Sequence, residues 1–257
     1  MDPKLRFSNR VENYVKYRPG YPQAIITTLM DSAGLAARSR VADVGSGTGL
    51  FARLFLELGC PLSGLEPNLE MRQAGERLLA GYPNFTSLPG SAESTALPDH
   101  SIDFITAGQA FHWFDRPRAR REFARILQPD GWVVLAWNER RLDSTPFLKA
   151  YEALLLQYGT DYTLVNHLNV ENDLSAIPDF YGGPFNQAFF DNLQRFDYAG
   201  VQGRLLSSSY APDSSHPLYE PMLADLQRIF ETHQSGGTVD FEYDTHLFWG
   251  HLAPLPD

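Results

Sequence analysis

The sequence predicts an α/β fold built on a doubly wound, largely parallel β-sheet. Between residues 40 and 140, short apolar runs of strand length alternate with stretches of helix length. This alternation is typical of right-handed strand–helix–strand crossovers, which place successive strands parallel to one another. The first apolar run breaks directly into three closely spaced glycines. The predicted strands are 40–45, 61–65, 84–88, 102–107 and 132–137, and the predicted helices are 50–58, 68–81 and 116–127.

Weaker patterns flank this core on both sides. Before it, we predict a short helix over 9–17, halted by Pro19 and Gly20, and a second helix over 23–33. After it, we predict a helix over 146–159, an irregular stretch over 161–183, a strand over 185–198, a helix over 221–233 and a strand over 239–251. The two closing strands are expected to add an antiparallel edge to the sheet. The stretch 141–183 is long enough to be a lid or a recognition insertion.

The length and composition favour a single domain. The chain has 257 residues, of which 43% are apolar, so it can bury a substantial core. We therefore expect one domain over 1–257. It would consist of an N-terminal helical cap (1–36), a cofactor-binding core (37–140) and a C-terminal substrate-side segment (141–257).

The charge balance excludes some classes of partner. The formal net charge is −10, from 21 basic and 31 acidic side chains, which argues against a nucleic-acid substrate. The arginine run from Arg116 to Arg125 is interpreted as a solvated helix face. A single cysteine, Cys60, fits a reducing compartment, and no apolar run approaches membrane-spanning length. We expect a cytoplasmic protein without a membrane anchor, and the spacing of the histidines predicts no metal site.

The most informative segment is the glycine-rich turn after the first predicted strand, which contains Asp43, Gly45, Ser46, Gly47 and Gly49. A turn of this kind lets a ligand approach the backbone, and the next helix presents unpaired N–H groups. The dinucleotide fingerprint needs its third glycine one position later than Gly49. In addition, the Asp43 carboxylate would repel a pyrophosphate but tolerate an ammonium or a sulfonium group.

Two further polar elements follow at successive strand ends. Glu66 comes at the end of the second predicted strand, where a carboxylate can accept both ribose hydroxyls of an adenosine. The segment Gly90-Ser91-Ala92-Glu93 follows the third predicted strand and is expected to lie beside an adenine. Because open sheets bind ligands at the carboxyl ends of their strands, the ordered set favours one adenosyl site.

Four blocks of the sequence, VADVGSGTGLFARLF, GLEPNLEM, GSAESTALPDHSIDFITAGQAFHWFD and ILQPDGWVVLAWNE, resemble the class I methyltransferases. The resemblance is greatest to the small-molecule branch that includes ubiquinone-type and trans-aconitate methyltransferases, and it covers residues 8–140. It implies a Rossmann-like, seven-stranded sheet with an antiparallel last strand, and S-adenosyl-L-methionine as cofactor.

The resemblance also implies roles for individual residues. Gly45, Ser46 and Gly47 would lie against the methionine part of the cofactor, with Asp43 near its amino group and Gln109 nearby. Glu66 would hold the ribose. The adenine would be flanked by Pro67 and Met71 and edged by Ser91, Ala92 and Glu93, although the family often has Asp where this chain has Ser91.

The sequence specifies the acceptor site less fully than it specifies the cofactor site. The segment Tyr17-Arg18-Pro19 resembles one that closes over the cofactor, so Arg18 is expected to pair with the methionine carboxylate and Tyr14 or Tyr17 to cover the methyl group. His112 is the candidate catalytic base, with substrate hydrogen bonding and a structural role as alternatives. Trp113 and Asn138 are expected to line the acceptor site.

These residues predict methyl transfer to an oxygen, nitrogen or carbon of a small organic acceptor, including a carboxylate. The alternatives are a nicotinamide-dependent oxidoreductase, a methyltransferase-like binding or regulatory protein without turnover, and an enzyme that methylates RNA or protein. The early third glycine counts against the first alternative, and the acidic balance counts against RNA.

Overall fold

The computed structural model describes residues 15–160, 162, 175–208 and 210–254. These residues form a seven-stranded sheet in the order β3-β2-β1-β4-β5-β7-β6. Strands β1 to β5 pair in parallel, which confirms the predicted doubly wound, largely parallel sheet. The strands are β1 (Val41–Val44), β2 (Leu62–Leu65), β3 (Phe85–Leu88), β4 (Ile102–Gly108), β5 (Leu127–Arg140), β6 (Phe185–Phe196) and β7 (Val239–Gly250).

Helices cover both faces of this sheet. Four of them start at a side-chain cap: Asn68, Asp115, Thr145 and Asp197 each accept a hydrogen bond from the N–H three residues later. Such caps satisfy N–H groups that would otherwise be unpaired. The helices are α1 (Ala24–Ala33), α2 (Ala52–Leu58), α3 (Leu69–Leu78), α4 (Arg116–Ile126), α5 (Pro146–Tyr158), α6 (175–181), α7 (Tyr198–Leu206) and α8 (Tyr219–His233).

The last strand, β7, runs antiparallel to both of its neighbours, β5 and β6, which confirms the antiparallel last strand. The two closing strands form the predicted antiparallel edge of the sheet, with β6 outermost and β7 between β6 and β5. Burial explains this order. The last four residues of β7, Leu247–Gly250, are all buried, whereas β6 contains no buried residue and exposes Phe189 and Leu193.

Several predicted boundaries need correction. Strand β5 begins at Leu127 rather than at 132. Its pairing with β4 shifts register, so residues 128–131 bulge out of the ladder. Helix α6 lies in the stretch predicted to be irregular, and two helices, not one, separate β6 from β7. Of the helix predicted over 9–17, residues 15–17 are helical and the rest lies outside the described residues.

Most of the buried side chains that the structure describes form two clusters on the two faces of the sheet and a third at its carboxyl edge. One face packs Val44 and Phe111 against α4 and α6, and the other packs Val41 against α1 and α2. The third cluster lies between α5, α7, α8 and the ends of β6 and β7. Within the described ranges, no helix is long and apolar enough to cross a membrane.

Candidate active site

The glycine-rich turn connects β1 to α2 at the carboxyl edge of the sheet. Gly45 and Gly47 have φ angles of +67° and +55°, a region that L side chains rarely adopt. At Gly45 a Cβ would lie 2.6 Å from the Cβ of Ala110, whereas at Gly47 the nearest atom would be the Cε of Met71, at 3.4 Å. The N–H groups of Gly45 and Ser46 both donate to the Leu65 carbonyl, so the turn is fixed against the end of β2.

Glu66 follows β2 and contacts this turn directly. Its Oε2 accepts a hydrogen bond of 2.9 Å from the Gly47 N–H, and its Oε1 accepts one of 2.8 Å from the Asn68 N–H. Burial raises the pKa of this carboxyl, while the two N–H groups and the Arg72 charge act in the opposite direction. Each carboxylate oxygen has two lone pairs, so both retain capacity to accept a further hydrogen bond. The structure therefore brings together two elements that are 19 residues apart in sequence.

Asp43 lies at the end of β1 and is buried, with 1% of its surface exposed. Its Oδ1 accepts a hydrogen bond of 2.7 Å from the Thr106 hydroxyl. Its Oδ2 makes no hydrogen bond of normal geometry to any residue that the structure describes. Burial raises the pKa of Asp43 to about 7; the Thr106 hydroxyl and the Ala52 N–H lower it, and the Glu66 charge raises it.

The predicted adenine edge forms a tight turn after β3. Ser91 and Ser94 exchange backbone hydrogen bonds of 3.1 and 3.2 Å, and Ala92 between them is buried. Glu93 has a hydrogen-bond partner that the sequence did not predict. Its Oε1 accepts a hydrogen bond from the Asp115 N–H at the start of α4. After β2, Pro67 is exposed and Met71 is buried next to Gly47.

Gln109 and Asn138 connect the ends of β4 and β5. Gln109 has a φ of +55°, which is uncommon for a residue with a side chain, and its Nε2 donates to the Asn138 carbonyl. The side chain of Asn138 joins three segments: its Nδ2 donates to the Gly20 carbonyl, and its Oδ1 accepts hydrogen bonds from Thr245 and Asn192. These hydrogen bonds give Asn138 a structural role, in addition to the role in the acceptor site that the sequence predicts.

The N-terminal segment runs across this edge of the sheet. The ring of Tyr17 packs against Phe196, with centroids 6.1 Å apart, and Arg18 donates to the Ser207 carbonyl at the end of α7. Tyr21, which the sequence did not single out, lies 4.5 Å from the ring of Phe51, two residues after the glycine turn. Tyr14, predicted to cover the methyl group, lies outside the described residues.

His112 and Trp113 lie in a short 3₁₀ helix, Phe111–Trp113, that follows β4. Their rings are 4.6 Å apart, and Trp113 keeps 43% of its surface exposed. His112 is half-buried. Its burial lowers the pKa of the imidazole to about 4, and the positive charge of Arg116 lowers it further. Its imidazole is therefore neutral at physiological pH. Among the described residues, no group of three His, Cys, Asp or Glu side chains is placed to hold a metal ion.

Comparison with known proteins finds a family that matches part of the chain. Residues 42–135, from β1 through the glycine turn and Glu66 into β5, match the family described as a methyltransferase domain. Over these residues, a little more than a third of the chain, the protein is similar to a methyltransferase domain.

Two relatives show how far this methyltransferase similarity extends. An uncharacterized methyltransferase of Mycobacterium tuberculosis is 38% identical over 139 residues, which cover 54% of each chain. The match therefore spans about half the length of that relative. An uncharacterized methyltransferase of Schizosaccharomyces pombe is 27% identical over 256 residues, 97% of this chain and 98% of the relative.

The fold of this chain is also found among solved structures. A protein of Anaeromyxobacter dehalogenans, provisionally assigned as a type II methyltransferase, superimposes with a TM-score of 0.65 at 19% identity. The similarity covers 93% of this chain and 100% of that one. At this identity the match confirms the Rossmann-like architecture of the sheet and its flanking helices.

Proposed function

We propose that the protein transfers the methyl group of S-adenosyl-L-methionine to an oxygen, nitrogen or carbon of a small organic acceptor. The observation that carries the proposal is the contact between the Glu66 carboxylate and the Gly47 N–H, next to the buried Asp43. The net charge of −10 supports a small acceptor rather than a nucleic acid.

The residues at the carboxyl edge fit the chemistry of this cofactor. The unsatisfied Oδ2 of Asp43 offers a buried acceptor for a cationic or hydrogen-bond-donating group, which suits an ammonium group. Glu66 retains lone pairs for ribose hydroxyls. The turn at Ser91 and Ala92 would hold the adenine, with Met71 against its face.

When bound, the cofactor supplies a methyl group already activated by attachment to a positively charged sulfur. The chain then has to position the acceptor and exclude water, and positioning alone can lower a barrier by roughly 7–11 kcal/mol. Gln109, which donates to the Asn138 carbonyl, and the segment that carries Tyr17 and Arg18 would perform this task. His112 would hold the acceptor by a hydrogen bond more effectively than it would remove a proton, because a pKa of about 4 makes it a weak base.

The test is calorimetric titration of the folded chain with S-adenosylmethionine and with its demethylated product, S-adenosylhomocysteine. We expect heat of binding with both ligands and none with reduced nicotinamide dinucleotide, which would bind if the chain were an oxidoreductase. Absence of binding heat with both adenosyl ligands would contradict the proposal. Replacing Glu66→Ala should weaken binding by roughly 1–3 kcal/mol through loss of charge-assisted hydrogen bonds. Glu70→Gln, at an exposed position in the next helix, is the matched control.

A further inference from the structure

Strand β6 is a long edge strand without the features that usually protect an edge from pairing. Its 12 residues pair with β7 in one unbroken register, from Phe185 opposite Gly250 to Phe196 opposite Val239. No described strand pairs with its other side. Proteins commonly protect such edges with a proline, a lysine, a bulge or a short strand, and β6 has none of these. Its outer edge is therefore able to pair with a further strand.

One face of β6 carries a regular set of exposed side chains. Phe189 and Leu193 are 58% and 53% exposed. Asp191 and Arg195 lie on the same face, because successive side chains of a strand alternate between its two faces. The side chain of Asp191 is 90% exposed and that of Arg195 is 63% exposed. The order along this face is therefore apolar, acidic, apolar, basic.

Both charged side chains of this face can accept a further partner. Asp191 pairs with Arg141, but that single guanidinium also pairs with Asp244. A negative charge is therefore left in excess at Asp191. Arg195 donates to Asp240 through its Nε and Nη2. The Arg195 guanidinium has further N–H donors, which remain able to bind a second carboxylate.

Symmetry limits how two copies of β6 can pair with one another. In an antiparallel pair, two directly opposite residues either both form backbone hydrogen bonds across the pair or both do not, and the two kinds alternate. Two identical strands related by a two-fold axis must therefore place one residue opposite its own copy. With Asp191 at that centre, two carboxylates would lie opposite one another, which is destabilising. With Leu193 at the centre, Asp191 lies opposite Arg195 of the second copy, and this ion pair occurs twice.

The arrangement centred on Leu193 is also favourable for the apolar residues. No other centre places Asp191 opposite Arg195, so this arrangement alone pairs the opposite charges of the strand. The two copies of Leu193 contact each other at the axis. Phe189 is the diagonal neighbour of Arg195 of the second copy, where a guanidinium can lie over an aromatic ring. On the other face of the strand, Phe190 lies opposite Phe196 of the second copy.

We propose that two copies of the chain associate through β6, as antiparallel strands centred on Leu193, into a symmetric dimer with one continuous sheet. The strand is complementary to itself in charge, at Asp191 and Arg195, and in apolar contact, at Leu193. A second copy therefore satisfies both features of the exposed face with the same register. This inference goes beyond the proposed methyl transfer and does not depend on it.

The test is sedimentation velocity of the full chain over a dilution series. At about 0.1 mM we expect the mass of two chains. Leu193→Lys brings two like charges together at the two-fold axis, so it should raise the Kd of the dimer at least about tenfold. Leu156→Lys, at a leucine of α5 that is 54% exposed, is the matched control and should dimerise like the wild type.

A charge-swap experiment tests the register. Asp191→Lys places a lysine opposite Arg195 of the second copy, and Arg195→Glu places a glutamate opposite Asp191. Each variant alone should therefore dimerise more weakly than the wild type. An equimolar mixture of the two variants should form dimers again, because every basic side chain then lies opposite an acidic one. Misfolding of either variant could not produce this recovery.

Three results would overturn the proposal. The first is a wild-type chain that stays monomeric throughout the dilution series. The second is a Leu193→Lys variant that dimerises as strongly as the wild type. The third is a mixture of Asp191→Lys and Arg195→Glu that dimerises no better than either variant alone.

Discussion

At the scale of single residues, Asp43 and Glu66 are two buried carboxylates in different surroundings. Glu66 has both oxygens hydrogen-bonded to backbone N–H groups, which compensates part of the cost of its burial. Asp43 has one oxygen bonded to Thr106 and the other unsatisfied, so less of that cost is compensated. The protonation state of Asp43 should therefore depend more than that of Glu66 on whether a cation is bound next to it.

The burial of Asp43 predicts a pH dependence of stability. Its pKa is about 7 in the folded chain and 3.8 in its ordinary state, so between these values the folded chain holds a proton that the unfolded chain has released. The free energy of unfolding should therefore fall as pH rises from about 4 to about 7, by up to about 4 kcal/mol from this group, and then level off. Urea unfolding at several pH values should show this fall in the wild type and not in Asp43→Asn. An equal fall in Asp43→Asn would contradict the assignment, and Asp31→Asn on α1 is the exposed control.

The environment of His112 predicts an unusual titration. Because burial and the Arg116 charge lower its pKa to about 4, the imidazole should stay neutral through the physiological range. An NMR titration of the ring should place its midpoint near pH 4, and Arg116→Gln should move that midpoint upward. A midpoint near the ordinary value of 6.5 would restore His112 as a candidate general base.

The order of residues in the sequence predicted the proximity of Glu66 to the glycine turn, because carboxyl ends of neighbouring parallel strands meet. It did not predict the partners of Glu93 and Asn138. These partners, the Asp115 N–H and the Gly20 carbonyl, lie 22 and 118 residues away, and their positions depend on how helix α4 and the N-terminal segment dock. Local patterns carry no information about such docking.

At the scale of elements, the turn between β1 and α2 depends on two glycines for different reasons. A methyl group at Gly45 would collide with the Cβ of Ala110, which belongs to a short side chain that cannot turn away. At Gly47 there is room for it, and only the left-handed backbone is unfavourable, at about 1–2 kcal/mol. We expect Gly45→Ala to destabilise the chain by about 1–3 kcal/mol more than Gly47→Ala in urea unfolding. Equal losses would show that Ala110 moves aside.

The docking of the N-terminal segment depends on Gly203. Because a Cβ there would lie 2.0 Å from the Tyr17 ring, Gly203→Ala must displace Tyr17, and Arg18 with it. We expect weaker binding of S-adenosylhomocysteine in calorimetry, with a small loss of thermal stability. Gly81→Ala, a position with open space around it, is the control. Unchanged affinity in Gly203→Ala would show that this segment does not contribute to the cofactor site.

Elements with strong periodicity were predicted well, and those specified by tertiary contacts were not. The start of β5 was misplaced because Pro129, Asp130 and Gly131 favour a turn, and the structure accommodates them as a bulge within the strand. Helix α6 was missed because the stretch around it is rich in Asn, Asp and Gly. Its Phe180 and Tyr181 are buried against the sheet, which stabilises a helix that its local sequence favours weakly.

At the scale of the whole molecule, ligand binding should stabilise the entire fold, because the glycine turn, Glu66 and the N-terminal segment connect different parts of the sheet. At a ligand concentration about 100 times the Kd, the gain is about 2.7 kcal/mol. For a chain of this size, that gain corresponds to an increase in Tm of roughly 5–10 °C. Differential scanning calorimetry with S-adenosylhomocysteine should show this increase in one cooperative transition. Two separate transitions, with only one shifted, would contradict the expectation that residues 1–257 form one domain.

The position of β7 has a consequence for biosynthesis. Among the described strands β7 comes last in the sequence, yet it separates β5 from β6, and its ladder joins Arg140 to Tyr243 and Val133 to Gly250. As translation proceeds, β5 and β6 leave the ribosome without the strand that they share, each with an open edge. That half of the sheet can close only after residue 250 has emerged, so a stalled nascent chain would be prone to aggregate.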